Sequence, residues 1–287
     1  MPESRANPES QRHDGRGHDS QEHDSQQHDG RGHDSQQHDS QRHDGRRPEQ
    51  IRAVEIESPF LRHAEGSASI RMGHTWVVCA ATVDDRQPGW LKGTSRGWVT
   101  AEYSMLPRAV GVRRGREMSS RSLEIQRLIG RSLRTIVDLR LLPRHTITLD
   151  CDVIEADGGT RVAAVTGAFV ALCQACRWMA KEGRILRSPV KDQVAGLGIG
   201  IVGGDVFCDL DYEEDSVAET DANLLMTASG KVVGMHAAAE QEPFETAMLH
   251  RMIELARPGF DELFTAQRVA LGLPAEEPFD PETLLAQ

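Results

Sequence analysis

The sequence predicts an α+β fold built from two similar lobes. Two observations carry this: short strand-like runs punctuated by glycine turns are followed by long helical patterns, and that order occurs twice along the chain. A third separates a tail from the fold, because residues 1–47 contain no Ile, Leu, Val, Phe, Trp or Tyr, whereas the remainder has ordinary globular alternation.

Order begins at Ile51. "IRAVEIE" (51–57) alternates as a strand, "SASIRMGHTWVVCAATV" (67–83) reads as two strands turning at Gly73, and "GWVTAEYSM" (97–105) as another. From Ser119 a helix places Ile125, Leu128, Ile129, Leu133, Ile136 and Val137 on one face and ends before Pro143. A strand follows over "TITLDCDVIEA" (146–156), then a Gly-Gly turn, then a helix from about Arg161 to Glu182.

After the linker "GRILRSPVKD" (183–192) the second lobe starts. "VAGLGIGIVGGDVFCDLDY" (194–212) reads as two strands joined at Gly203-Gly204, and "NLLMTASGKVVGMHAA" (223–238) as a hairpin turning at Ser-Gly. Two closing helices are expected over Phe244–Ala256 and Phe260–Gly272. The predicted organisation is a tail over 1–41, lobes over 42–185 and 186–272, and a C-terminal tail over 273–287.

The N-terminal tail repeats His-Asp with a period of five, from His13-Asp14 to His43-Asp44. Such polar sequence cannot bury enough surface to offset its ordering entropy, so disorder is expected, with at most weak metal binding by its histidines. At 287 residues the chain is long enough to bury roughly 70% of its unfolded surface. Of the 44 acids and 33 bases, 10 and 7 lie in residues 1–47, so residues 48–287 carry 34 acids against 26 bases. That balance does not by itself point to nucleic acid.

The longest uncharged apolar run, Val162 to Cys176, has 15 residues, short of the ~20 a membrane span needs. With no basic-then-apolar leader, a soluble cytoplasmic protein with no membrane partner is expected. The five cysteines sit in apolar segments, as reduced thiols do. Cys173-Gln-Ala-Cys176 falls mid-helix without a second pair, which favours packing over redox or zinc chemistry.

Three segments could carry chemistry. Leu106 to Arg134 holds eight arginines against two glutamates. So dense a set of planar donor forks suits a polyanion, although a solvated helix face laced with ion pairs has the same composition. "ADGGTR" (156–161) joins a strand to a helix N-terminus, where free amides, two glycines, Thr160 and Arg161 suit a single phosphate; a plain tight turn would read the same way. Asp211 to Asp221 contains six acids, which repel one another unless solvated or bridged by a hard cation such as Mg²⁺. Gly198-x-Gly200-x-x-Gly203 matches a dinucleotide fingerprint in spacing but is followed by no helix.

Taken in order, "HAEGSASIRMGHT" (63–75), "GWVTAEYSMLPR" (97–108), "EIQRLIGRSLR" (124–134), "TITLDCDVIEADGGTR" (146–161), "TGAFVAL" (166–172), "CDLDYEEDSVAETD" (208–221) and "AAEQEPF" (238–244) resemble ribonuclease PH. This is the bacterial tRNA nucleotidyltransferase family, related to the ring subunits of the exosome and of polynucleotide phosphorylase. The resemblance covers about Arg42 to Gly272.

The resemblance implies a phosphate-dependent 3′→5′ exoribonuclease that trims tRNA precursors, releases nucleoside diphosphates and runs in reverse as nucleotide addition. It places phosphate binding on Arg121, Gly159, Thr160 and Arg161, and a metal-binding, catalytic acidic pair on Asp215 and Asp221 with Mg²⁺ or Mn²⁺. Arg108, Arg113, Arg116 and Arg127 become RNA contacts, and a homohexamer, a trimer of dimers, is implied. A catalytically silent RNA-binding ring subunit and a metal-dependent hydrolytic exoribonuclease are the competing readings.

The chain departs from the family pattern in a shorter loop before Arg121, in "HAAAEQ" (236–241), and in the long tail. Arg42-His43-Asp44-Gly45-Arg46 with Gln50-Ile51-Arg52 fits the element with which the family begins, so the upstream His-Asp copies read as a tandem expansion of it.

Overall fold

The computed structural model describes residues 42–285. The expectations for residues 1–41 lie outside the described residues; only the last His-Asp repeat falls within them.

Two sheets flank one central helix. The first has five strands in the order β1-β2-β3-β5-β4, from β1 (Val54–Glu57), β2 (Gly66–Met72), β3 (Thr75–Asp84), β4 (Trp98–Met105) and β5 (Thr146–Glu155). The second has four strands in the order β7-β6-β8-β9, from β6 (Val194–Val202), β7 (Asp205–Cys208), β8 (Thr220–Thr227) and β9 (Val232–Ala239). The two lobes and the α+β class are as the sequence predicts.

Helix α1 (Ser120–Thr135) is the crossover that lets β4 join β5 in parallel, the one parallel pairing among the described strands. Its apolar face packs on β4. It stops at Thr135, short of the predicted end before Pro143, and the chain makes a separate 3-10 turn over Leu139–Leu141. Asp138 begins that turn by accepting from the Arg140 N–H, a local bond that competes with helix continuation.

Helix α2 (Thr160–Lys181) packs against strands of both sheets and is buried along most of its length. Its composition explains this, since a helix apolar on all sides has no face to offer water. It is also long and apolar enough to cross a membrane, but here it is the shared core element of the two lobes. Cys173 and Cys176 lie within it as free, buried thiols, and burial pushes Cys176 up to about 12.

The acidic run contains an unpredicted short helix, α3 (Tyr212–Asp215), started by a capping box between Asp211 and Glu214. The two predicted closing helices are one, α4 (Thr246–Ala270), with Pro258 inside it. Proline removes one backbone bond, but Met252, Ala256, Phe260, Leu263 and Phe264 bury a continuous face across it. After α4 the chain packs back on the core: Leu273 and Leu284 are buried, and Phe279 meets Phe169 edge-on at 5.9 Å. The Gly198–Gly203 motif lies in β6 and its turn into β7, so a strand and not a helix follows it directly.

The approach of β2 to α2 depends on Gly66, because a Cβ there would lie 2.1 Å from the Ala171 carbonyl oxygen and 2.5 Å from the Ala175 nitrogen. Neither backbone atom can move without displacing the helix. Gly66→Ala is expected to destabilise the fold by at least about 1–3 kcal/mol, read as a lower denaturant midpoint. An unchanged midpoint would contradict this packing.

Candidate active site

Two helix N-termini converge on a cleft of about 220 Å³ between the sheets. Ser119, Arg121 and Ser122 of the α1 start line it, with Gly158, Gly159, Thr160 and Arg161 of the α2 start; Asp215, Asp221 and Asn223 come from the second lobe. The phosphate and metal residues expected from the sequence are thus brought together. Arg108, Arg113, Arg116 and Arg127 are not in the cleft lining; they are exposed on the loop before α1 and on α1 itself. Arg114, which sequence reasoning passed over within the same arginine run, lines the cleft instead.

The α2 turn is held from behind. Gly158 and Gly159 adopt φ +73° and +64°, values that suit glycine. The Gly158 carbonyl accepts from Thr75 Oγ1 at 2.6 Å, and the Asp157 carbonyl accepts from Arg52 Nη1. No side chain caps the helix at Gly159, so first-turn N–H groups and the positive end of the helix dipole remain available to an anion. Tyr103 of β4 donates its hydroxyl to Thr160 Oγ1 at 2.9 Å, and burial keeps that phenol protonated by raising its pKa. Thr160, having accepted that bond, keeps its own O–H to donate.

The acidic run divides into two jobs. Arg52 grips Asp209 through its backbone N–H at 2.8 Å, Nε at 2.9 Å and Nη2 at 2.7 Å. Arg42, fully buried at its side chain, holds both oxygens of Glu214 at 2.7 and 2.5 Å and the carbonyls of Cys208 and Asp209 at 2.8 and 3.0 Å. Arg46 adds a bond to the Asp209 carbonyl at 2.9 Å. Asp209, Asp211 and Glu214 are therefore consumed in docking the Arg42–Arg52 segment and in capping α3.

Asp215 and Asp221 are left facing the cleft. Burial, followed by the charge of Asp221, raises the Asp215 carboxyl above its ordinary range, while Arg121 and Arg161 pull it the other way. A carboxyl raised by burial beside a second carboxylate is short of positive charge, and the hard oxygens of the two fit Mg²⁺ or Mn²⁺. A second set, His43, Asp44 and Asp211, brings its donor atoms within 4.8 Å of one another. It is already satisfied internally: His43 Nε2 meets Asp211 Oδ2 at 2.6 Å, and Arg46 Nε meets Asp44 Oδ2 at 2.5 Å.

Comparison with known families decides what this cleft belongs to. The model of 3′ exoribonuclease family domain 1, RNase PH, matches residues 50–177, and that of domain 2 matches residues 192–259. The chain belongs to the RNase PH family. The RNase PH fold also relates it to solved structures. An Archaeoglobus fulgidus exosome with RNA bound to the active site is similar at 24% identity and TM-score 0.69, over 78% of this chain and 93% of that one. Rice (Oryza sativa) Rrp46 is similar at 20% identity and TM-score 0.66, over 79% and 98%. An archaeal exosome core is similar at 25% identity and TM-score 0.64, over 79% and 92%. Both family matches end on either side of α2's last turn and the linker, so the glycine turn comes from domain 1 and the acidic pair from domain 2.

Sequence reasoning missed Arg42 and Arg52 as builders of the site, since their partners are more than 150 residues away. Arg42→Met would remove both short bonds to buried Glu214 and leave it, as ion-pair partner, only the Arg46 guanidinium at 3.6 Å, at an expected cost of up to about 3–5 kcal/mol in urea unfolding. A loss below about 1 kcal/mol would show that the pair does not hold α3.

Proposed function

We propose that this RNase PH-family chain is a phosphorolytic 3′→5′ exoribonuclease of the cytoplasm that trims tRNA precursors. The observation that carries the proposal is the opposition, in one cleft, of an anion cradle to a carboxylate pair. The cradle is built from Arg121, Arg161, Thr160 and the Gly159 turn; the pair is Asp215 and Asp221.

Inorganic phosphate sits on the cradle, where two guanidinium groups, the Thr160 O–H and the first-turn amides of α2 neutralise and orient it. One phosphate oxygen attacks the terminal phosphodiester phosphorus. A new P–O bond forms, the bond from phosphorus to the 3′ oxygen breaks, and the last nucleotide leaves as a nucleoside diphosphate. The departing 3′ oxygen takes a proton, a step this reading gives to Asp215 as general acid. Most of the rate comes from holding the two anions together against their repulsion, which is the task of fixed positive charge.

Asp215 and Asp221 would hold Mg²⁺ or Mn²⁺, which when bound neutralises charge developing on the phosphoryl oxygens. Because one P–O bond replaces another, the ratio of phosphate to nucleoside diphosphate sets the direction. Arg108, Arg113, Arg116 and Arg127, exposed outside the cleft, are assigned to the RNA backbone upstream of the scissile bond. A homohexameric ring, a trimer of dimers, would combine such surfaces from several copies.

Product analysis tests this reading. With RNA, Mg²⁺ and phosphate, nucleoside diphosphates are expected and should vanish when phosphate is withheld. Monophosphates formed without phosphate would indicate hydrolysis, and RNA binding without any product would indicate a silent ring subunit. Arg121→Ala is expected to lower turnover on the order of 10²-fold while size-exclusion chromatography shows the assembly unchanged. Wild-type turnover in that variant would remove Arg121 from the cradle.

A further inference from the structure

We infer that Tyr212 is the platform on which the 3′-terminal base of the RNA, and the base of the released nucleoside diphosphate, stacks. The inference rests on the phosphorolytic reading above and gives the same cleft its base recognition.

Two aromatic residues line the cleft, and they are treated differently. Tyr103 is buried and its hydroxyl is spent on Thr160. Tyr212 is 65% exposed, matched among the described aromatic residues only by Trp90 at 66%, which lies outside the cleft lining. Its backbone is nevertheless fixed: the Tyr212 N–H donates to Asp157 Oδ1 at 3.2 Å, and the capping box and Arg42 anchor the rest of α3. The ring thus stands on a rigid base with its face open to water. Asp215 follows three residues later on the same short helix, so the ring and the carboxylate are neighbours.

The remaining chemistry of the cleft leaves base recognition to such a face. Its neutral polar side chains already have partners: Thr160 accepts from Tyr103 and turns its own O–H to the phosphate, Ser122 meets Ser119 at 3.0 Å, and Asn223 donates to the Asp221 carboxylate at 3.4 Å. Its charged groups suit phosphates and a cation. Sequence-tolerant recognition needs a surface that accepts every base, and an aromatic face does so because every base has a π-face. An enzyme that removes successive nucleotides of differing identity needs that tolerance.

RNA ending in 2-aminopurine tests the contact without any chemistry, by fluorescence quenching in the absence of phosphate. Wild type and Tyr212→Trp are expected to quench the terminal base, and Tyr212→Ala and Tyr212→Leu to lose the quench. In kinetics, Tyr212→Leu should raise KM for RNA, and for nucleoside diphosphate in the reverse direction, about tenfold or more, leaving KM for phosphate unchanged. RNA ending in an abasic nucleotide should bind wild type as weakly as Tyr212→Leu and lose nothing further in that variant.

Quenching by wild type that the leucine variant abolishes supports the platform even where no nucleoside diphosphate is formed, so failure of the phosphorolytic reading remains separate. Wild-type quenching and KM values in Tyr212→Leu, with normal phosphorolysis, overturn the platform and leave the phosphorolytic reading standing. The leucine variant keeps the bulk of the ring, so loss of folding in Tyr212→Ala alone does not blur the outcome.

Discussion

The buried contact between Arg52 and Asp209 is the constraint on which the site depends. Arg52 reaches Asp209 on one side and the Asp157 carbonyl on the other, so a single guanidinium ties the glycine turn of the first lobe to the acidic segment of the second. Burying two charges is favourable only when each is well matched, and here every main bond of the pair is made. Burial is the largest influence on Arg52, yet Asp209 and then Asp157 hold its pKa above the ordinary value. Arg42 and Glu214 repeat the device one layer away, and together the two pairs carry the Arg42–Arg52 segment across the seam between the lobes.

That staple explains why the acidic run is less repulsive than its composition suggests. Asp209, Asp211 and Glu214 face cations or backbone donors, whereas Asp215 and Asp221 face the cleft and each other. Neighbouring acids in one short stretch therefore do opposite work. The same division separates the arginines: Arg42 and Arg52 are structural counter-ions, Arg114, Arg121 and Arg161 line the cleft, and Arg108, Arg113, Arg116 and Arg127 remain on the surface. The cleft is left polarised, with positive helix ends and guanidinium groups opposite a carboxylate pair.

Much of the fold was legible because local patterns and burial agree. The β5–turn–α2 unit is the clearest case: alternation over "TITLDCDVIE", two glycines and an apolar helix place the turn where the structure has it. The acidic helix α3 was not legible, since its stability comes from a capping box and from Arg42, which is 172 residues from Glu214. The continuity of α4, expected as two helices, was not legible for a similar reason: the face it buries on either side of Pro258 belongs to tertiary packing. The parallel placement of β4 beside β5 was likewise a consequence of where α1 crosses, which periodicity does not record.

The sequence by itself determined the chemical inventory: an α+β chain of two lobes, a glycine turn ahead of a helix, a dense arginine run and a run of acids, all in the motif order of RNase PH. Those features are local, because φ restrictions, hydrophobic period and residue type act within a few positions. Tertiary structure decided which arginines and which acids face the cleft and which are consumed in holding it together. The physical reason is that charge acts through distance and burial, and both are set by contacts between segments far apart in the chain.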